Sequence, residues 1–180
     1  MTVKNPKCLV IDASILRGAG GENATHPKPI RCRDFLAEVQ ALGHKVIVTR
    51  EIKQEWDKHI EVADNPLTTR WYTNMRRRNQ IQFVMDDIID QDLRDMILSV
   101  LPKDVHKAVT KDFRLIEGAL QADEIVSSLD EKMREHFKRA SIKVDEIASI
   151  VWVNPANQDE ECIIWLRQSA PADDFRKLGK

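Results

Sequence analysis

The chain has 180 residues, 42% of them hydrophobic and 32% charged, and a formal net charge of −1. That length fits one domain with a real core, and the near-zero charge excludes a global attraction to nucleic acid or anionic membrane, so any polyanion site has to be a local patch. No apolar run approaches the ~20 residues of a membrane span.

The start, "MTVKNPK", carries no apolar export stretch. Three scattered cysteines, Cys8, Cys32 and Cys162, suggest neither a zinc pattern nor a disulfide framework. A reducing cytoplasm is therefore the expected compartment. Residues 8–11, "CLVI", read as a short, fully buried strand that ends on Asp12. A charge there is costly to bury without a partner; it either caps the next turn or binds something. The next stretch, "ASILRGAGGENATHPKP", reads as a Gly- and Pro-punctuated mobile loop.

"RCRDFLAEVQALG" places Phe35, Leu36, Val39 and Leu42 at helical spacing, with Gly43 as its C-cap. "HKVIVT" is a second strand, and "REIKQEWDKHI" runs from it into a helix with Ile52, Trp56 and Ile60 on one stripe. Strand, helix, strand, helix in this order predicts a parallel sheet covered by helices. The charged segment at about 64–103 reads as a helical insertion, basic in "RWYTNMRRRNQ" and acidic in "DDIIDQDLRD".

Beyond Pro102, "KDFRLIEGALQA" is a helix and "EIVSS" a third strand. "LDEKMREHFKRA" comes next as a helix with Leu129, Met133 and Phe137 four apart, then "ASIVWVN" as a fourth strand and "DEECIIWLRQ" as a short helix packing Ile164 and Trp165. No internal repeat or linker divides residues 1–180, which read as one α/β domain.

Parallel sheets of this class present functional groups just beyond the carboxyl ends of their strands. Asp12 and Asp130 both occupy such positions. Glu55 shares the inward side of its helix with Ile52 and His59, and Asp112 lies on an apolar face with Ile116 and Ala119. Four carboxylates at one sheet edge repel one another unless a cation sits among them. Oxygen-only ligands favour Mg²⁺ or Mn²⁺ over zinc.

With these residues in order, the sequence resembles the PIN-domain (PIN-like) ribonuclease family. The matching pieces are "VIDAS" with Asp12 and Ser14, "VTREIKQEW" with Glu55, and "KDFRLIEGALQADEIVSSLD" with Asp112, Ser128 and Asp130, spanning roughly residues 7–137. The resemblance implies a three-layer α/β/α sandwich with a central, mostly parallel sheet. It also implies a Mg²⁺ or Mn²⁺ site and hydrolysis of RNA phosphodiester bonds. Asp12, Glu55, Asp112 and Asp130 would be the catalytic, metal-holding residues, with Ser14 and Ser128 behind them or capping the adjoining helices. Lys132 stands where many members carry a further acid, which implies a weaker second metal site or none. Toxin, processing and defence roles stay open, with an antitoxin protein or a second copy of the chain as partners; the tail "ECIIWL" is the surface offered for a homodimer.

Glu51 and Glu117 are lower-ranked substitutes, and His59 and His106 read as structural. Arg70, Trp71, Tyr72, Arg76, Arg77 and Arg78 form a basic and aromatic stretch that suits phosphates and unpaired bases; its alternative is a solvated helix with Trp71 in the core and arginines paired to the acidic run. A phosphatase using Asp12 as nucleophile lacks its second aspartate, since Ser14 stands there, and no Gly-x-Ser-x-Gly elbow occurs. The rival from another class is an RNA- or partner-binding module without turnover.

Overall fold

A computed structural model describes residues 3–21, 23–60, 66–84 and 88–180, with the side chains of residues 59 and 60 set aside. Five strands, β1 (Cys8–Ile11), β2 (Lys45–Thr49), β3 (Ile81–Val84), β4 (Ile125–Ser127) and β5 (Val151–Val153), form one all-parallel sheet in the order β3-β2-β1-β4-β5. The sheet is the middle layer of an α/β/α sandwich. Leu9, Val10, Ile11, Val46, Ile47, Val48 and Val126 are wholly buried, as continuous apolar strands covered on both faces must be.

On one side lie α2 (Pro27–Leu42), α4 (Pro66–Arg77) and α8 (Cys162–Arg167); on the other lie α5 (Gln91–Val100), α6 (His106–Leu120) and α7 (Glu131–Ser141). The short α1 (Ala13–Gly18) and α3 (Arg50–Ile60) start directly from the ends of β1 and β2. The sheet runs outward from β1 in both directions, so its connections reverse between β1 and β4. That switch point opens a crevice beyond the carboxyl ends of the strands, where such folds bind their ligands.

Phe35, Leu36, Val39 and Leu42 are all buried, and Gly43 ends α2 at φ 84°, a left-handed conformation that favours glycine. Three expectations are corrected. Residues 13–18 are helix, because Ile15 and Leu16 are buried against the core, and the chain leaves helical geometry only at Ala19. The segment at 64–103 is no helical insertion: between α4 and α5 it carries β3, an edge strand of the sheet itself. In α8, Trp165 and Leu166 are buried while Ile164 is 49% exposed. Cys162 is buried as well, which leaves Ile164 and the partly buried Ile163 as the apolar surface of "ECIIWL". Among the described residues, no helix is long and apolar enough to cross a membrane, and the three cysteines are free thiols.

Candidate active site at the carboxyl end of the sheet

Asp12 is the first residue beyond β1, and its backbone N–H donates to the Ser127 carbonyl at 2.9 Å, continuing the β1–β4 ladder past the strand end. Its side chain is almost buried. The Ser14 and Ser128 hydroxyls both donate to Oδ2, at 2.5 and 2.8 Å. Each serine in turn accepts a backbone N–H from the β4–α7 turn, Leu129 to Ser14 and Asp130 to Ser128, both at 3.2 Å. Two hydroxyls thus fix the carboxylate through Oδ2, and Oδ1 is the oxygen on the side of Arg114, 3.9 Å from Nη2. Donors to an ionised group are the stronger kind of hydrogen bond, and here they also tie β1 to β4.

Glu55 reaches this edge through its neighbour. The Trp56 indole N–H donates to the Ile11 carbonyl at 2.9 Å, one residue before Asp12, and the ring is fully buried. Thr49 Oγ1 accepts the Ile52 N–H at 3.2 Å and starts α3 at the end of β2. Glu55, one third exposed, is met by Lys58 Nζ at 2.7 Å. Asp112 is brought in by α6, which lies close on the sheet at Gly118; a Cβ there would stand 3.2 Å from both Ile52 Cδ1 and Val10 Cγ2. Asp130 is the N-cap of α7, with Oδ1 accepting the Met133 N–H at 2.9 Å.

Three of the carboxylates act on the fourth. Burial pushes the Asp112 carboxyl up to about 6; Arg114 pulls it down, while Asp12, Asp130 and Glu55 each add to the rise. Arg114 Nη2 is 2.9 Å from Asp112 Oδ1 and 3.9 Å from Asp12 Oδ1. Hard, all-oxygen donors that repel one another suit a divalent cation. As the side chains stand, however, no group of three or more His, Cys, Asp or Glu among the described residues is arranged to hold a metal ion. The cation that pairs with Asp112 and lies nearest Asp12 is the Arg114 guanidinium.

Two clefts flank the carboxylates. One, ≈ 620 Å³, is lined by Glu55, Lys58, Lys111, Asp112 and Arg114. The other, ≈ 420 Å³, is lined by Ser14, Arg17, Lys28, Asp130 and Lys132. Lys132 therefore places a cation beside Asp130.

The substitutes fare differently. Glu117 is 3% exposed and accepts both Arg94 Nε and Arg94 Nη2 at 2.6 Å, with the guanidinium 5.3 Å from the centroid of the Phe113 ring. It is locked in a structural ion pair. Glu51 lies 3.8 Å from the same arginine. His106 Nε2 is 3.0 Å from the Leu101 carbonyl, a local contact at the start of α6. The His59 side chain falls outside the described residues.

In the basic and aromatic stretch the structure bears the alternative reading for Trp71. Trp71 is 5% exposed, donates its indole N–H to the Leu36 carbonyl at 2.8 Å and packs on Trp56, so it stacks in the core and not on a base. Tyr72 is half-buried, edge-on to Trp56. Arg76, Arg77 and Arg78 are exposed at the end of α4, immediately before β3 begins. In a parallel sheet that is the amino-terminal edge, opposite the carboxyl edge where Asp12 lies. Arg70 lies earlier on the same helix, beside Trp71 and Arg33. The pairing with the acidic run that the alternative reading included is not seen among the described residues, and Asp86 and Asp87 of that run lie outside them.

One buried cluster had no signal in the sequence. Glu160 accepts Arg134 Nη1 at 2.6 Å, Arg176 Nη1 at 3.1 Å and the Asn154 N–H at 3.0 Å, and Arg176 Nη2 also donates to the Glu160 carbonyl. It fastens the carboxyl-terminal turn, where Leu178 and Gly179 bond back to Ile150 and Ala148. Comparison of the chain with protein-family models, with curated proteins and with solved structures finds no match.

Proposed function

We propose that the chain is a PIN-like ribonuclease that hydrolyses RNA phosphodiester bonds with Mg²⁺ or Mn²⁺, in a reducing cytoplasm. The observation that supports it most is the meeting of Asp12, Glu55, Asp112 and Asp130 at the switch point of a parallel sheet, close enough for three of them to lift the carboxyl of the fourth. Nothing in packing requires four acids there.

Asp12 and Asp130 would hold the ion, one fixed by Ser14 and Ser128 and the other by the start of α7. A bound divalent cation supplies a polarised phosphoryl oxygen and a water acidic enough to attack near neutral pH. Glu55 and Asp112, on the wall of the larger cleft, complete the ion's ligands or orient that water. Arg17, Lys28 and Lys132 line the smaller cleft and give the RNA backbone a short basic path on a chain without net positive charge.

A second reading, an RNA- or partner-binding module without turnover, draws on one observation: the carboxylates as they stand do not form a group of three around an ion. The test incubates the purified chain with labelled single-stranded RNA and DNA in Mg²⁺, in Mn²⁺ and in EDTA. Cutting of RNA that EDTA abolishes is expected. RNA retained but uncut under every metal condition would transfer the conclusion to the binding module, and cutting that survives EDTA would refute the cation-dependent mechanism.

A further inference from the structure

Arg114 is an unusual partner for Asp112. The two are separated by one residue on α6, and side chains at i and i+2 do not face each other on a helix. The ordinary helix partner for Arg114 is Glu117, three residues on, and Glu117 is already taken by Arg94 at 2.6 Å. Arg114 instead turns back, so that the single nitrogen Nη2 faces Oδ1 of both Asp112 and Asp12. Because Ser14 and Ser128 occupy Oδ2 of Asp12, Oδ1 is the oxygen Asp12 has to offer a cation, and Arg114 stands before it. The side chain has room to leave: it lines both the ≈ 620 Å³ cleft beside Lys111 and a second space of ≈ 200 Å³ beside Thr49 and Ile89.

We infer that Arg114 competes with the divalent cation for Asp12 and Asp112: it neutralises the two carboxylates when no ion is bound and is displaced into the cleft when one arrives. The inference rests on the cation site proposed above. Displaced, the guanidinium would face the cleft together with Lys111, where it can pair with a phosphate oxygen. Ion loading and substrate grip would then be coupled through one side chain.

The test measures Mn²⁺ affinity by the electron paramagnetic resonance signal of free Mn²⁺ for the wild type, R114Q, R114K and D12N. R114Q should bind Mn²⁺ more tightly by about tenfold, the effect of removing one like charge beside a site, and should melt at a lower temperature in EDTA because Asp12 and Asp112 lose their counter-ion. R114K keeps a cation in place and should stay near the wild type, and D12N should lose binding. In the wild type, saturation with diamagnetic Mg²⁺ should shift the Arg114 Nε–Hε nuclear magnetic resonance signal, a measurement independent of whether R114Q folds. Mn²⁺ binding by the wild type with no gain in R114Q, or an Arg114 signal unmoved by saturating Mg²⁺, would overturn the competition while the cation site stands. No Mn²⁺ binding by any of the four proteins would overturn the cation site itself, and the inference with it.

Discussion

Replacing Asp112 with Asn should make the protein more stable above neutral pH while removing the RNA cleavage proposed for it. The folded chain holds the Asp112 carboxyl at about 6 against an ordinary 3.8, through burial and three neighbouring carboxylates. The protonated form is therefore favoured in the native state. The native state binds more protons than the unfolded chain between those values, so stability is lost as pH rises from about 4 to 6, and the cost is fully present above that. A shift of roughly two units caps the cost at about 3 kcal/mol, and solvent screening at a side chain 19% exposed brings it to on the order of 1–2 kcal/mol. Asparagine keeps an acceptor for Arg114 and removes the charge. Urea unfolding in EDTA should show D112N ahead of the wild type by about 1–2 kcal/mol at pH 8, the gap narrowing to about half at pH 5 where the wild-type carboxyl is largely protonated. A variant less stable than the wild type at pH 8, or a gap independent of pH, would refute the idea that these carboxylates strain the apo fold.

Elsewhere in the molecule, Glu117→Ala removes the bidentate partner of Arg94, which is 15% exposed and keeps Glu51 at 3.8 Å, and should cost about 2–3 kcal/mol by urea unfolding, below the full loss of a buried pair; a loss under 1 kcal/mol would mean the pair is solvated. His44 is fully buried and neutral, with Nδ1 accepting the Lys7 N–H at 2.9 Å and Nε2 donating to the Leu166 carbonyl at 3.0 Å. Burial holds its pKa below the ordinary 6.5, so its contribution is complete above pH 6.5 and lost as pH falls. The deficit of His44→Gln should accordingly shrink between pH 8 and pH 5.5, and a constant deficit would contradict the assignment. Reversing the smaller cleft with Lys28→Glu and Lys132→Glu together should weaken single-stranded RNA binding and flatten its log–log salt dependence by about 1.4. The same pair of changes leaving the slope untouched would remove that cleft from the RNA path.

The parts of the fold that the sequence made legible are those whose signal is local. β1, β2 and β4 are continuous apolar runs because both faces are covered, and α2 announces itself through four buried residues and the glycine that ends it. Asp12 stood out because a lone acid at the end of such a run has few reasons to be there. β3 escaped because an edge strand owes little to burial: Gln82 and Phe83 are exposed, Ile81 and Val84 half-covered, and neither alternation nor a solid apolar run remains. α1 was hidden behind Gly18, Gly20 and Gly21, though Ile15 and Leu16 anchor it. At 70–78 composition alone left two readings open, and the helix with Trp71 in the core is the one the structure bears: Thr68, Trp71 and Met75 form its buried stripe, and Arg76 and Arg77 lie in its last turn.

The charged pairs were illegible for a different reason. Glu117 with Arg94, and Glu160 with Arg134 and Arg176, join residues 16 to 26 positions apart, and no local pattern distinguishes them from solvated surface charges. Arg114 belongs with these: its direction depends on which neighbour has already claimed Glu117.

The most direct test of the proposed chemistry is cleavage of labelled single-stranded RNA in Mn²⁺ by the wild type and Asp12→Asn, purified side by side and matched by circular dichroism. Asparagine can still accept from Ser14 and Ser128, so the fold is kept while the carboxylate charge is removed. The wild type should cut, and the variant should lose at least a hundredfold in rate, about 2.7 kcal/mol in the barrier. Equal cutting by the two proteins would contradict the cation site, because Asp12 would then play no part in the chemistry.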